Sequence, residues 1–235
     1  MNKIRIFPAI ILLSLVSGGC AHEQAGAKAP AVSAAAASAS AKPAPGVVFL
    51  FPVANGTLPK DRNLMPGASR DYRGGVHQGV DIYYHSGDSL VVCGDQVLNA
   101  AEGWVVRADT AWKVMTEKEY ISDTQRLKKD PDETLLDRLR GRQVWIRTAD
   151  GITIRYCHLY SVAPGIESGI RVSSGVMVGT IGNSGTADGS RIVARNCHLH
   201  LEIWMPDGKF LGDGLTERET RDTWNALFGI TAPAK

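Results

Sequence analysis

His198-Leu199-His200-Leu201-Glu202-Ile203-Trp204, preceded by Cys197, alternates residue by residue between two kinds of side chain. In an extended strand, alternation sends successive side chains to opposite faces. Cys197, Leu199, Leu201 and Ile203 then form an apolar face, and His198, His200, Glu202 and Trp204 the other. One face packs, and the other carries two imidazoles on one side of a strand.

Four of the six histidines sit in patterned contexts. His77 opens His77-Gln78-Gly79-Val80-Asp81, whose spacing puts His77 and Asp81 on one side of an extended segment. Gly79 lets the backbone pass close to an ion, and Gly74-Gly75 predicts a loop leading into a strand. A glycine-broken segment is unlike the helical His-Glu-x-x-His motif. His158 lies in Thr153-Ile154-Arg155-Tyr156-Cys157-His158-Leu159-Tyr160, where alternation predicts a shared face for Tyr156, His158 and Tyr160. A catalytic zinc takes three protein ligands and leaves a fourth position open, and His77, Asp81 and one of His198 and His200 supply such a set. Calcium and magnesium require more oxygen donors. Iron held by two histidines and one carboxylate is also compatible.

These motifs, together with the glycine-punctuated run from Val172 to Gly185, resemble in order and spacing the lysostaphin-type (LytM-type) zinc endopeptidases of bacterial cell walls. The resemblance covers roughly Val47 to Trp204. It implies a mainly β, antiparallel domain of the lysostaphin/LytM type (a duplicated hybrid motif), zinc ligands His77, Asp81 and His200, and catalytic roles for His158 and His198. Zinc would acidify a water and polarise the scissile carbonyl, while the two free imidazoles move the proton and stabilise the oxyanion. Tyr72 is a further oxyanion candidate against the plainer reading of an exposed loop tyrosine. Glu202 is a candidate for fixing an imidazole tautomer, with a solvated or salt-bridged carboxylate as the alternative.

Strand-like runs are read at Val47 to Phe51, Gly79 to Tyr84, Val97 to Ala100, Gly103 to Arg107, Val144 to Arg147, Ile152 to Leu159, Met177 to Ile181 and Cys197 to Trp204. By the resemblance, Gly169 to Gly185 is a β-hairpin region; a plain glycine-rich meander is the alternative. Residues 109–142 interrupt the compact pattern as a helical insertion. Thr116-x-x-Glu119 is a capping box, Asp130-Pro131-Asp132-Glu133 supplies an N-cap and first-turn proline, and Gly141 is a stop. The insertion carries eight basic and eight acidic residues, so it reads as a solvated helical hairpin packed by its leucines, or more sharply as a wall of the substrate groove. Thr216-x-x-Glu219 opens a short C-terminal helix, residues 216–229.

The N-terminus reads as an export signal. Lys3 and Arg5 precede an apolar run from Ile6 to Val16 that is shorter than the roughly 20 residues of a spanning helix, and Ser17-Gly18-Gly19-Cys20 follows. Residues 1–20 are expected to be a lipoprotein-type signal, with Cys20 acylated for membrane attachment; ordinary cleavage near Ala21 is the alternative. By resemblance to Gram-negative lipoproteins, in which an aspartate after the cysteine signals inner-membrane retention, Ala21 implies a periplasmic protein anchored to the outer membrane. Residues 21–46, rich in Ala, Pro and Ser, read as a disordered tether, and residues 47–235 as the peptidase domain.

Lys and Arg number 26 against 24 Asp and Glu, and Lys3 and Arg5 account for the excess. A balanced domain has no electrostatic footprint for nucleic acid. With Cys20 acylated, Cys93, Cys157 and Cys197 remain; alternation turns Cys157 and Cys197 away from the site, and a Cys157–Cys197 disulfide is expected against the alternative of reduced thiols. The functional expectation is a zinc endopeptidase acting on peptidoglycan stem peptides, at the D-Ala to diaminopimelate crosslink. The alternative is a zinc-holding module that regulates a partner hydrolase.

Overall fold

The computed structural model describes residues 48–231. The expected signal, Cys20 and the tether lie outside these residues. In chain order the elements are β1 (Ser69–Arg70), β2 (Gly75–Val76), β3 (Val80–Tyr83), β4 (Gln96–Leu98), β5 (Gly103–Ala108), α1 (Glu117–Lys129) and α2 (Glu133–Leu139). There follow β6 (Val144–Arg147), β7 (Thr153–Cys157), β8 (Leu159–Val162), β9 (Arg171–Val172), β10 (Met177–Ile181), α3 (Ala187–Ser190), β11 (His198–Trp204) and α4 (Glu217–Leu227).

The architecture is mainly antiparallel β. Six strands form one sheet in the order β3-β11-β7-β6-β5-β9, three form a second in the order β4-β10-β8, and β1 pairs with β2. The apolar faces explain the assembly. Leu199, Leu201 and Ile203 of β11 join Ile154 and Tyr156 of β7, Val178 and Ile181 of β10, and Trp224 and Leu227 of α4 in one buried cluster. Each such side chain contributes about 1.5–3 kcal/mol on leaving water. Helix α4 begins at the Thr216 capping box, and its Trp224 donates Nε1–H to the Leu211 carbonyl at 3.0 Å.

Three sequence expectations about strands are corrected. The run Ile152 to Leu159 is not one strand: His158 has φ of 59°, and at that corner the chain leaves the six-stranded sheet and enters the three-stranded one. Tyr156 therefore does not share a face with His158; it lies in the core, its hydroxyl donating to Asn99 Oδ1 at 3.0 Å, while Tyr160 is exposed. Nor is Gly169 to Gly185 a hairpin, because β9 pairs with β5 whereas β10 pairs with β4 and β8. The described residues of the run Val47 to Phe51 are not strand; they tie to the domain through Phe49 N–H to Leu227 O and Leu50 N–H to Ala100 O, each 2.8 Å.

The insertion has a small core of its own, Met115, Leu127, Leu135 and Leu139. Thr116 and Glu119 form the reciprocal capping box of α1. Helix α2 is capped by Asp132, which accepts from the Thr134 and Leu135 amides, so Pro131 stands before the helix rather than in its first turn. Gly141, with φ of 68°, ends the pair.

Candidate metal centre

Antiparallel register sets the site. Residues directly opposite in neighbouring strands share a face, and β11 pairs with β3 so that His200 faces Asp81 and His198 faces Tyr83. Gly79 permits that approach in a way the sequence reading did not foresee. A Cβ there would overlap the Leu201 carbonyl oxygen, so Gly79 serves the seating of its segment against β11 rather than an ion.

His77, Asp81 and His200 converge as a buried group. His77 Nε2 lies 3.1 Å from both His200 Nδ1 and Asp81 Oδ1, and His200 Nδ1 lies 2.7 Å from Asp81 Oδ1. Bonds of 2.0–2.1 Å in a tetrahedral zinc shell put donors about 3.3 Å apart, so a slight expansion of this triangle accommodates the ion. Two imidazoles and one carboxylate, with an open side toward the groove, fit zinc. Asp81 turns Oδ1 to the histidines and Oδ2 to Arg70 Nη2 at 3.3 Å.

Hydrogen bonds fix which nitrogen of each ring is free. Because a carbonyl can only accept, His77 donates Nδ1–H to Met65 O at 3.1 Å, His158 donates Nδ1–H to Ser184 O at 2.7 Å, and His198 donates Nδ1–H to Asn196 O at 2.9 Å. Each keeps an Nε2 lone pair. His200 is reversed: Nε2–H donates to Glu202 Oε1 at 3.0 Å, leaving Nδ1 for the converging group.

Electrostatics follow the same pattern. Burial pushes the His77 imidazole down to about 4, even with Asp81 beside it. Burial, with His198 and His200 adding to it, holds His158 well below its ordinary value, and burial also lowers His198. His158 and His198 are thus neutral acceptors at Nε2. For His200, burial opposes charge but Asp81 and Glu202 outweigh it and raise its pKa. Burial likewise opposes charge on Glu202, yet Arg140, His200 and Arg155 hold its carboxyl well below the usual range.

Glu202 is both salt-bridged and bonded to an imidazole. It is 1 % exposed and receives Arg140 Nε at 2.6 Å, Arg155 Nη1 at 3.2 Å and Trp204 Nε1 at 2.6 Å besides His200. Arg155 is itself stacked between Trp145 and Trp204, at 3.9 and 4.3 Å from the ring centres. Arg140, 2 % exposed, reaches on to Glu133 at 2.7 Å and to Gln78.

The groove above these residues encloses roughly 420 Å³. It is lined by all five residues, by Tyr72, and by residues the sequence reading missed, among them Arg70, Arg73, Tyr83 and Arg140. Tyr72 is exposed, as the plainer reading had it. Tyr83 stacks on His198 with ring centres 4.0 Å apart; its position two residues after Asp81 was a signal for that face. Arg140 and Arg70 had no local signal.

The expected Cys157–Cys197 pairing and the expected orientation of Cys157 are overturned, whereas that of Cys197 holds. The disulfide joins Cys93 to Cys197, and Cys157 is the free, buried thiol among the described residues. The left-handed backbone at His158 stops alternation from extending back to Cys157, and register places Cys157 opposite His200, on the site face. Cys197 does point to the apolar side.

The family model described as Peptidase family M23 matches residues 75–211. A comparison with curated proteins finds no match. Similar solved structures include Csd3 from Helicobacter pylori, with 16% identity over 70% of this chain and 33% of that one, TM-score 0.41. The catalytic domain of the antimicrobial peptidase lysostaphin from Staphylococcus simulans is 20% identical over 56% of this chain and 68% of that one, TM-score 0.35. A zinc containing peptidase from Vibrio cholerae is 15% identical over 68% of this chain and 35% of that one, TM-score 0.40. The chain spans about a third of the length of the Helicobacter and Vibrio proteins.

Proposed function

The chain belongs to peptidase family M23, and from that premise we propose that it is a zinc-dependent endopeptidase hydrolysing peptide bonds in bacterial peptidoglycan, at the D-Ala to diaminopimelate crosslink. The observation that carries this reading is the convergence of His77, Asp81 and His200 beside two further imidazoles with free Nε2 atoms on one groove.

His77 Nε2, Asp81 Oδ1 and His200 Nδ1 would hold the ion. Zinc bound there supplies Lewis-acid polarisation of the scissile carbonyl and lowers the pKa of a water to about 7. His198 and His158, neutral and anchored through Nδ1–H, present Nε2 to the groove. One accepts the proton of the attacking water at Nε2 and passes it to the leaving amine, while the other, after taking up a proton at Nε2 from solvent in the open groove, donates it as a hydrogen bond to the developing oxyanion. Tyr83 holds the plane of His198, and Glu202 holds the tautomer of His200. Tyr72, exposed at the groove edge, is the remaining oxyanion candidate.

The same reading puts the enzyme in the periplasm, attached through an acylated Cys20 to the outer membrane. Its support is the run from Lys3 to Cys20 and, independently, the Cys93–Cys197 disulfide, since such bonds persist in oxidising compartments.

The test is digestion of purified sacculi with and without chelator, with released muropeptides identified by mass. Metal-dependent cleavage of crosslinked dimers is expected. A folded, zinc-loaded protein that releases nothing would instead support the regulatory alternative. His200→Ala should lose zinc, whereas His198→Ala should keep zinc and lose activity; equal zinc loss in both would overturn this division of roles.

A further inference from the structure

Charges lining the site groove are almost all neutralised from within the protein. Arg70 pairs with Asp81, Arg140 with Glu202 and Glu133, and Asp188 with Arg195. Arg73 lines the same groove, and among the described residues no carboxylate lies within ion-pair distance of it. Its guanidinium makes one long hydrogen bond, Nη2 to the Val76 carbonyl at 3.4 Å, and lies 5.9 Å from the ring centre of Tyr72. Asp81 acts on it only at a distance; a half-buried guanidinium with no carboxylate in contact is costly, and its planar fork matches a carboxylate.

The turn that presents Arg73 is backed by the insertion. Asp71–Arg73 form a short 3-10 turn closed by Gly74, whose φ is 66°. The α1 backbone at Leu127 sits close enough that a Cβ on Gly74 would approach the Leu127 carbonyl oxygen to 3.0 Å. A fixed backbone and a cation with no carboxylate in contact, on the groove of the candidate site, are what an anionic substrate group needs.

We infer that Arg73 binds a free carboxylate of the substrate next to the scissile bond. This rests on the endopeptidase reading and narrows it. In a D-Ala to diaminopimelate crosslink, the carbon bearing the scissile amide nitrogen also bears a free carboxylate. A polyglycine bridge carries none at that place. Arg73 therefore selects the first class of bond as a specificity residue, not a catalytic one.

The experiment uses the full chain and three crosslinked muropeptide dimers: the free acid, one amidated at the diaminopimelate carboxylate beside the scissile amide, and one amidated at the α-carboxylate of the glutamate. In the wild type, kcat/KM for the free acid should exceed that for the first amide by roughly tenfold to a hundredfold, the range of a charge-assisted hydrogen bond in a partly buried site. Arg73→Gln should collapse this ratio toward one, mostly through KM, with zinc content unchanged. Arg73→Lys should retain part of it. The glutamate amide should behave as the free acid does. An unchanged ratio in Arg73→Gln, or a ratio that tracks the glutamate amide, overturns the assignment. If the zinc-loaded wild type cleaves none of the dimers, the endopeptidase reading fails, and calorimetric binding of the uncleaved free-acid dimer under chelator still judges Arg73: unchanged affinity in Arg73→Gln refutes it.

Discussion

Glu202→Gln is the perturbation that most directly probes how the metal centre is held. The change keeps shape and an acceptor oxygen but removes the negative charge that meets Arg140, Arg155 and the His200 Nε2–H inside the protein. Removing one partner of a buried pair costs about 3–5 kcal/mol, because the other charge is stranded. Here Arg140 retains Glu133, whose side chain is 62% exposed, and Arg155 retains its two tryptophans, so the lower end, about 3 kcal/mol, applies. At about 2–4 °C per kcal/mol for a domain of this size, the melting temperature should fall by about 6–12 °C. The weaker acceptor opposite Nε2–H should also cost about 10–100-fold in zinc affinity, measured by chelator competition. Glu133→Gln, at the exposed end of the same chain of charges, should change stability by no more than about 1 kcal/mol. A Glu202→Gln protein that melts early yet binds zinc as tightly as the wild type would refute the claim that Glu202 orients His200.

Three further outcomes are expected. Alkylation of the denatured, unreduced protein followed by peptide mapping should label Cys157 and leave Cys93 and Cys197 unlabelled; reduction should then lower stability by about 2–5 kcal/mol, since the bond closes a loop of 104 residues. Gly141→Ala places a methyl group against the Ser184 carbonyl that anchors His158, at a left-handed backbone position, and should depress peptidase activity while zinc content is retained. Gly79→Ala collides with the Leu201 carbonyl and should destabilise the fold by about 1–3 kcal/mol and weaken zinc binding together, read by thermal melting and metal analysis.

The parts legible in the sequence are those that depend on local periodicity. Alternation along β11 placed His198, His200, Glu202 and Trp204 on one face and Leu199, Leu201 and Ile203 in the core, because the strand is extended throughout its length. The two capping boxes read directly as helix starts. Alternation misled where the backbone departs from the strand region. His158 in the left-handed region turns the chain from one sheet to the other, so a face assigned by counting through it was wrong for both Tyr156 and Cys157. The disulfide partner of Cys197 and the burial of Arg140 depend on contacts 104 and 62 residues apart, which no window of sequence reports.

The insertion shows how a charge-balanced segment can be misjudged by composition. Eight acidic and eight basic residues suggested a solvated hairpin, and most of them are indeed at the surface. Its final turn is different. Arg140 sends its guanidinium to Glu202, and its carbonyl accepts the His158 N–H at 2.9 Å, while the Arg142 carbonyl accepts from Leu159 at 3.0 Å. These two bonds hold the chain on either side of the left-handed corner at His158, a conformation that costs a non-glycine residue of order 1–3 kcal/mol and persists only where surroundings enforce it. One residue thus fixes His158 through its backbone and, through Glu202, His200 by its side chain. The helices before it hold that residue in place and back the Arg73 turn, so the insertion belongs to the site at its C-terminal end and to the groove wall along α1.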